Sequence, residues 1–322
     1  MASSSSQLAE TRESTGGARS TVAVVGLGRV GGIAAAWLQH AGRHDVTICA
    51  RRPLALLTLE HDSGAVDLPL RTLTNPDDAQ PVDWVLLCTK AHETASAGPW
   101  LQKLCRPTTR VAVLQNGIGH VERVAPFANG AATFPVIVYY NGERLAEDRV
   151  RFRHVSEYDV AVADDELGRS FVQLLAGTPI TVLLSGDFKT LIWRKLLINV
   201  VVNPITALTR QRQGVLRRSD MRDLALGVLA EAIAVASADG ARLASDEAEQ
   251  TLRTLYSYPP EAGTSMYFDT MAGRPLEIEA LTGAIVAAGE TYGIATPLNR
   301  ALLTLARAVS DANASSSQHG GH

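Results

Sequence analysis

Three polar residues interrupt one long apolar run: Lys195, Asn199 and Asn203, in the stretch W-R-K-L-L-I-N-V-V-V-N-P. At about 100° per residue, a spacing of four advances the helical wheel by only about 40°, so a helix puts all three on one face. The residues between them are Leu, Ile and Val, which marks the helix as largely buried. Burying a lysine and two carboxamides is costly unless partners or a ligand satisfy them. A lysine on an apolar helix is also where burial depresses the pKa and makes proton transfer feasible. A second reading stands beside this one: a lysine snorkelling to water and two asparagines capping or bridging helices. Downstream lie Ser265-Met266-Tyr267-Phe268-Asp269 and Glu277-Ile278-Glu279; taken alone, the two glutamates are acids at a helix start, where the dipole favours them.

A cofactor site is legible near the N-terminus. Thr21–Val25 is β-favouring and runs into Gly26-Leu27-Gly28-Arg29-Val30-Gly31, followed by an Ala-rich stretch. That is strand, tight turn and helix start, the context a dinucleotide fingerprint requires. Gly26 permits the turn, Gly28 admits a pyrophosphate to the backbone, and Gly31 lets helix and strand pack closely. The phosphates would rest on free N–H groups at the helix N-terminus. Arg51-Arg52 end the second strand, Asp45–Ala50, where NAD-preferring sites carry an acid. Two guanidiniums there, with no nearby carboxylate to repel the ligand, predict NADP(H) over NAD(H). Lys90 and Asn116 follow the strands Asp83–Cys88 and Arg110–Leu114, at the carboxyl ends where doubly wound sheets bind ligands. A turn or capping role is equally open to each taken alone.

The elements that must position these groups divide in two. Up to Ser185-Gly186, strands and helices alternate, giving an α/β class with a Rossmann-type doubly wound sheet. An extended piece is expected at Ala65–Leu70, and antiparallel pairing about an Asn141-Gly142 turn. Helix Asp165–Leu175 and strand Ile180–Leu184 close that half. Beyond it the pattern predicts helices only. The first covers Asp187–Asn203 and kinks or ends at Pro204. The second spans Ser219–Ala238, capped by Ser219-Asp220, and a third opens on an Asp246/Glu249 capping box. Glu277–Tyr292 and Leu298–Val309 complete an all-α C-terminal domain. The expected division is a disordered polar leader at 1–20, a dinucleotide domain at 21–186, a helical substrate domain at 187–312 and a disordered polar tail at 313–322.

Composition narrows the class. Of 322 residues 46% are hydrophobic and 20% charged with a net charge of −3, as in a soluble globular protein, and without the basic excess that nucleic acid binding calls for. No apolar run of membrane-spanning length is evident in the sequence, and the polar leader lacks a signal-peptide core. Cys49, Cys88 and Cys105 lie in or near apolar runs without metal spacing, which fits buried thiols in a reducing cytoplasm. His40 and His44 straddle the Gly42 helix end, so no metal site is expected. Apolar helical surface in the second half is also what a homodimer would use.

Together these motifs resemble the ketopantoate reductase (2-dehydropantoate 2-reductase) family. The resemblance is carried by Gly26 to Gly31, Cys88-Thr89-Lys90, Leu114-Gln115-Asn116-Gly117, Lys195 through Leu208, Ser265 through Asp269 and Glu277-Ile278-Glu279, spanning Val22 to about Ala306. It implies an NADPH-dependent reduction of a small 2-oxo acid, ketopantoate first among candidates. Lys195 would be the proton donor, with Glu277 beside nicotinamide and ribose as its catalytic companion. Asn199, Asn203 and Ser265 would hold the substrate, Asn116 would bridge cofactor and substrate, and Lys90 and Arg51 would touch the cofactor. Three positions depart from the family pattern. Gln213 stands where Asn often precedes Gly, Phe268 stands where Gln is usual, and Arg29 stands at a fingerprint position that is more often small. Phe268 is expected to make the pocket bulkier and more apolar, which motivates an alternative: a paralogue reducing a more apolar 2-oxo acid. A further alternative is an NADPH-binding regulatory protein without turnover.

Overall fold

The computed structural model describes residues 19–319. In chain order the first half comprises β1 (Thr21–Val25), α1 (Arg29–Ala41), β2 (Asp45–Cys49), β3 (Leu56–His61), β4 (Gly64–Pro69), β5 (Arg71–Leu73), β6 (Trp84–Leu87), α2 (Gly98–Leu104), β7 (Arg110–Val113), α3 (His120–Val124), β8 (Ala132–Pro135), β9 (Ile137–Val138), β10 (Asn141–Ala146), β11 (Arg149–Arg153), β12 (Val160–Ala163), α4 (Glu166–Leu174) and β13 (Val182–Ser185). Helices follow: α5 (Phe188–Thr209), α6 (Ser219–Ala238), α7 (Glu247–Ser257), α8 (Ser265–Met271), α9 (Ala284–Tyr292) and α10 (Pro297–His319).

The main sheet has six parallel strands in the order β5-β2-β1-β6-β7-β8. Its order reverses between β1 and β6, the switch point at which such sheets leave a crevice for ligands. A four-stranded mixed sheet, β10-β11-β3-β4, lies over α1, and a three-stranded one, β13-β12-β9, completes the half. Gly31 through Leu38 of α1 are all buried. The small side chains of Ala34, Ala35 and Ala36 suit a helix packed on both sides, by the main sheet and by β11. This is the α/β, Rossmann-plus-helical architecture expected.

Several local expectations are corrected. Asn141-Gly142 is not the hairpin turn: these residues open β10, and the chain reverses at Glu147-Asp148 before β11. The glycine is needed because a Cβ at Gly142 would stand 2.6 Å from Ile33 Cδ1 of α1. The extended piece at Ala65–Leu70 is one arm of a hairpin whose other arm, β3, shows no local signal and pairs with β11 ninety residues on. Helix α5 does not end at Pro204 but runs to Thr209. Val200 through Ala207 are all buried, so packing holds the segment helical across the one missing backbone bond. Ser219 is the first helical residue rather than a cap, and Asp246 turns its carboxylate to Gln250 and Arg253 instead of forming a box. Glu277 does not open a helix; a π-helical turn, Glu279–Gly283, leads into α9. The expected polar tail at 313–322 is helical as far as His319, while most of the 1–20 leader lies outside the described residues.

Helix α5 is long and apolar enough to cross a membrane, but 67% of its apolar window is buried within the fold, and α6, α8 and α10 pack around it. It is the core of the helical half.

Candidate active site

The glycine-rich turn joins β1 to α1 as a dinucleotide cradle requires. Gly26 has φ +98°, and a Cβ on Gly31 would stand 1.9 Å from the Gly26 carbonyl oxygen, so strand and helix meet here only through glycine. At Gly28, by contrast, a Cβ would meet open space. The room in front of that backbone, at a helix N-terminus, is what a phosphate needs. Leu27 and Val30 pack partly against the core, and Arg29 has no ion-pair partner among the described residues. Arg144, a residue without any sequence signal, reaches across from β10 and donates to the Leu27 carbonyl at 2.9 Å.

Arg51 lies just past β2 with its side chain 91% exposed. The expectation of no nearby carboxylate is corrected. Glu93 is 3.4 Å from Arg51, and Glu147 is 2.9 Å from Arg52, both brought in by loops distant in sequence.

Lys90 follows β6 and faces the helical half. Its ammonium donates to Glu277 at 2.8 Å and Asp269 at 3.0 Å, and Arg274 donates to the other oxygen of Asp269 at 3.0 Å. Glu277 also accepts from the Ala91 backbone N–H at 3.0 Å. Burial alone would push Lys90 down, but the Glu277 and Asp269 charges together hold its ammonium above the ordinary lysine value. Asn116 follows β7 beside Gly117, where φ is +95° and a Cβ would lie 2.1 Å from the Ala280 carbonyl oxygen in the π turn. The loop carrying Asn116 is thus pressed against the helical half. Next to it, His120 Nε2 donates to the Gln115 carbonyl at 2.9 Å, and burial lowers its pKa to about 4, leaving it neutral.

On α5 the predicted face is real. Asn203 Nδ2 donates to Asn199 Oδ1 at 3.3 Å, and Asn203 Oδ1 accepts from Ser265 Oγ at 3.2 Å and from the Met266 backbone at 3.4 Å. Ser265 is the first residue of α8, which packs on α5. A cavity of about 150 Å³ opens here, lined by Asn199, Asn203, Ser265 and Gln213 with the apolar Ile198, Val202 and Leu255. Lys195 stands one turn before Asn199, its Nζ 5.1 Å from the centroid of the Tyr139 ring, and makes no ion pair among the described residues. Burial lowers its pKa to about 8. Phe268 does not line this cavity. It stacks on Tyr267 and beneath Arg212, 38% exposed, so the expected bulkier, more apolar pocket is not formed. A larger open hollow of about 430 Å³ lies on the second sheet beside Glu60, His61 and Arg151, where Glu60 pairs with Arg151 at 2.7 Å, and it touches none of the groups above.

A parallel dinucleotide-type domain joined to a helical one, with a poised lysine between them, defines the class of two-domain nucleotide-dependent oxidoreductases. The pattern of the ketopantoate reductase PanE/ApbA family matches residues 22–165, and the pattern of its C-terminal domain matches residues 187–310. The 2-dehydropantoate 2-reductase of Mycobacterium tuberculosis is 38% identical over 292 residues, covering 90% of this chain and 98% of that protein. The one of Caulobacter vibrioides is 36% identical over 291 residues, covering 89% and 98%. Among solved structures, a dimeric ketopantoate reductase from Staphylococcus aureus superposes with a TM-score of 0.81 at 28% identity, covering 91% of this chain and 99% of that one. The chain belongs to the ketopantoate reductase PanE/ApbA family.

Proposed function

We propose that this chain reduces 2-dehydropantoate (ketopantoate) to pantoate with NADPH, a step of pantothenate biosynthesis in the cytoplasm. The observation that carries the reading is the α5 face: a lysine with its pKa near 8, one turn from a linked Asn199–Asn203–Ser265 array. Bound NADPH supplies the hydride. Lys195, largely protonated at neutral pH, donates a proton to the substrate's 2-oxo oxygen, and its charge stabilises the negative charge developing there. Asn199, Asn203 and Ser265 hold the substrate carboxylate and hydroxyl, Asn116 bridges the two ligands, and Glu277 orients the ribose with the lone pairs that Lys90 and Ala91 leave free.

Gly26 to Gly31 cradle the pyrophosphate. Arg51, with Lys90 nearby, supports NADP(H) over NAD(H). Its bridge to Glu93 is exposed and contributes at most about 1 kcal/mol, less than a charge-assisted contact to a phosphate. The active unit is read as a homodimer, as described for the Staphylococcus aureus protein; Met271 and Leu305, each 57% exposed, are apolar surface available to it. Steady-state oxidation of NADPH and of NADH by ketopantoate tests this reading. Rapid turnover with NADPH and slow turnover with NADH is expected. No turnover with either, while NADPH still binds, would remove the substrate assignment.

A further inference from the structure

Two lysines lie where the halves meet, and their surroundings are opposite. Lys90 is held by two carboxylates, which keep its ammonium above the ordinary lysine value. Lys195 has no carboxylate partner among the described residues, and burial alone acts on it. What it has instead is the ring of Tyr139. Its Nζ lies 5.1 Å from the ring centroid, within the distance at which a cation is attracted to the negative face of an aromatic ring. Lys195 belongs to α5, whereas Tyr139 belongs to the dinucleotide half, between β9 and β10. The Tyr139 N–H donates to the Asp159 carbonyl at 2.7 Å, and the next residue, Tyr140, is buried with its hydroxyl donating to the Val30 carbonyl of α1 at 3.2 Å. The ring is thus mounted on a fixed stretch of backbone. The Tyr139 hydroxyl has no hydrogen-bond partner among the described residues, so what the side chain offers is its face.

We infer that Tyr139 is the positioning residue for Lys195: its ring face holds the ammonium against the dinucleotide half and favours the charged form that proton donation uses. The inference rests on the reading of Lys195 as proton donor. Carboxylates on the elements around α5 are turned elsewhere: Glu247 of α7 to Arg194, Asp269 of α8 to Lys90 and Arg274, Asp239 beyond α6 to Lys189, Glu279 to Arg307 of α10, and Asp159 before β12 to His154. Arg194 and Tyr258 are the charged or titratable groups that act on Tyr139 itself. A neutral ring suits the task better than a carboxylate does. A carboxylate would raise the proton affinity of the lysine, as at Lys90, and would repel the carboxylate of a 2-oxo acid; a ring supports the cation and adds no net charge.

The test measures the alkaline limb of kcat/KM for ketopantoate reduction by NADPH in the wild type, Tyr139→Phe and Tyr139→Leu. Tyr139→Leu is expected to move the limb down by about half to one pH unit and to lower kcat severalfold at neutral pH. Tyr139→Phe keeps the ring and is expected to keep the limb. Phenylalanine carrying three ring fluorines at the same position keeps the bulk but loses the negative face; its limb should move as in Tyr139→Leu, which a packing role would not produce. A second readout needs no substrate. The gain in melting temperature from Lys195→Met is largest while the folded lysine is protonated and declines above the pH at which it loses that proton. The decline should begin about half to one pH unit lower in the Tyr139→Leu background than in the wild-type background. If limb and decline both stay in place in Tyr139→Leu, the ring only packs and the inference falls. If Tyr139→Phe shifts them as far as Tyr139→Leu does, the hydroxyl rather than the ring is responsible, and it falls as well. A wild type that turns over no 2-oxo acid would remove the reductase reading, and the thermal readout would then decide the role of Tyr139 by itself.

Discussion

In the role proposed for it, Lys195 combines two opposed demands. A charged amine would be needed to protonate an oxyanion, yet burial disfavours the charge. Lys195→Ala should lower kcat by about 10²–10⁴ while fluorescence titration shows NADPH binding retained. With Lys195 as the proposed proton donor, the acid form is the active one in reduction, so kcat/KM should be level near neutrality and fall as pH rises through about 8. In the oxidative direction the neutral amine is the base, and the rate should rise through the same pH. The sign for stability follows from linkage. The folded state holds this group at about 8 against 10.5 for an ordinary lysine, so between those values the unfolded chain binds more protons and stability rises with pH. Lys195→Met should therefore raise the melting temperature while abolishing turnover, which a thermal shift beside an activity assay would register. At the cofactor end, Arg51→Ala should raise KM for NADPH by about tenfold or more and change KM for NADH little. Equal effects on both would argue against a 2′-phosphate contact.

At the scale of elements, local signals were legible and long-range ones were not. The strand–turn–helix around Gly26 and the four-residue spacing on α5 are written within one element each, and both stand in the structure. The pairing of β3 with β11 has no local signature, because a strand's partner is chosen by packing rather than propensity. Pro204 does not stop the helix for a related reason: burial of α5 outweighs one lost hydrogen bond. Asp269 was visible as part of a motif but not as a partner of Lys90, 179 residues away. Arg144, 117 residues from Leu27, had no signal at all.

The same long-range pairs join the molecule's two halves. Lys90, Asp269 and Glu277 form a clamp across them, with both carboxylates buried and Lys90 about a third exposed. Lys90→Met would leave those carboxylates short of a partner. It should cost about 1–3 kcal/mol in chemical denaturation, less than a fully buried pair would. Glu277→Gln, which can still accept from Ala91, should cost less. If Lys90→Met left stability unchanged, the clamp would have no structural role.

Helix α1 has consequences for how the cofactor cradle behaves in time. From Gly31 to Leu38 it is enclosed between two sheets, without a solvent-facing side. Its amides can exchange with deuterated water only when the whole domain opens, so they should be among the slowest in the chain. The glycine turn is anchored to that buried end and should need little ordering when a pyridine nucleotide arrives. Deuterium uptake at Leu27–Arg29 should drop on cofactor binding, while uptake within α1, already minimal, stays where it was.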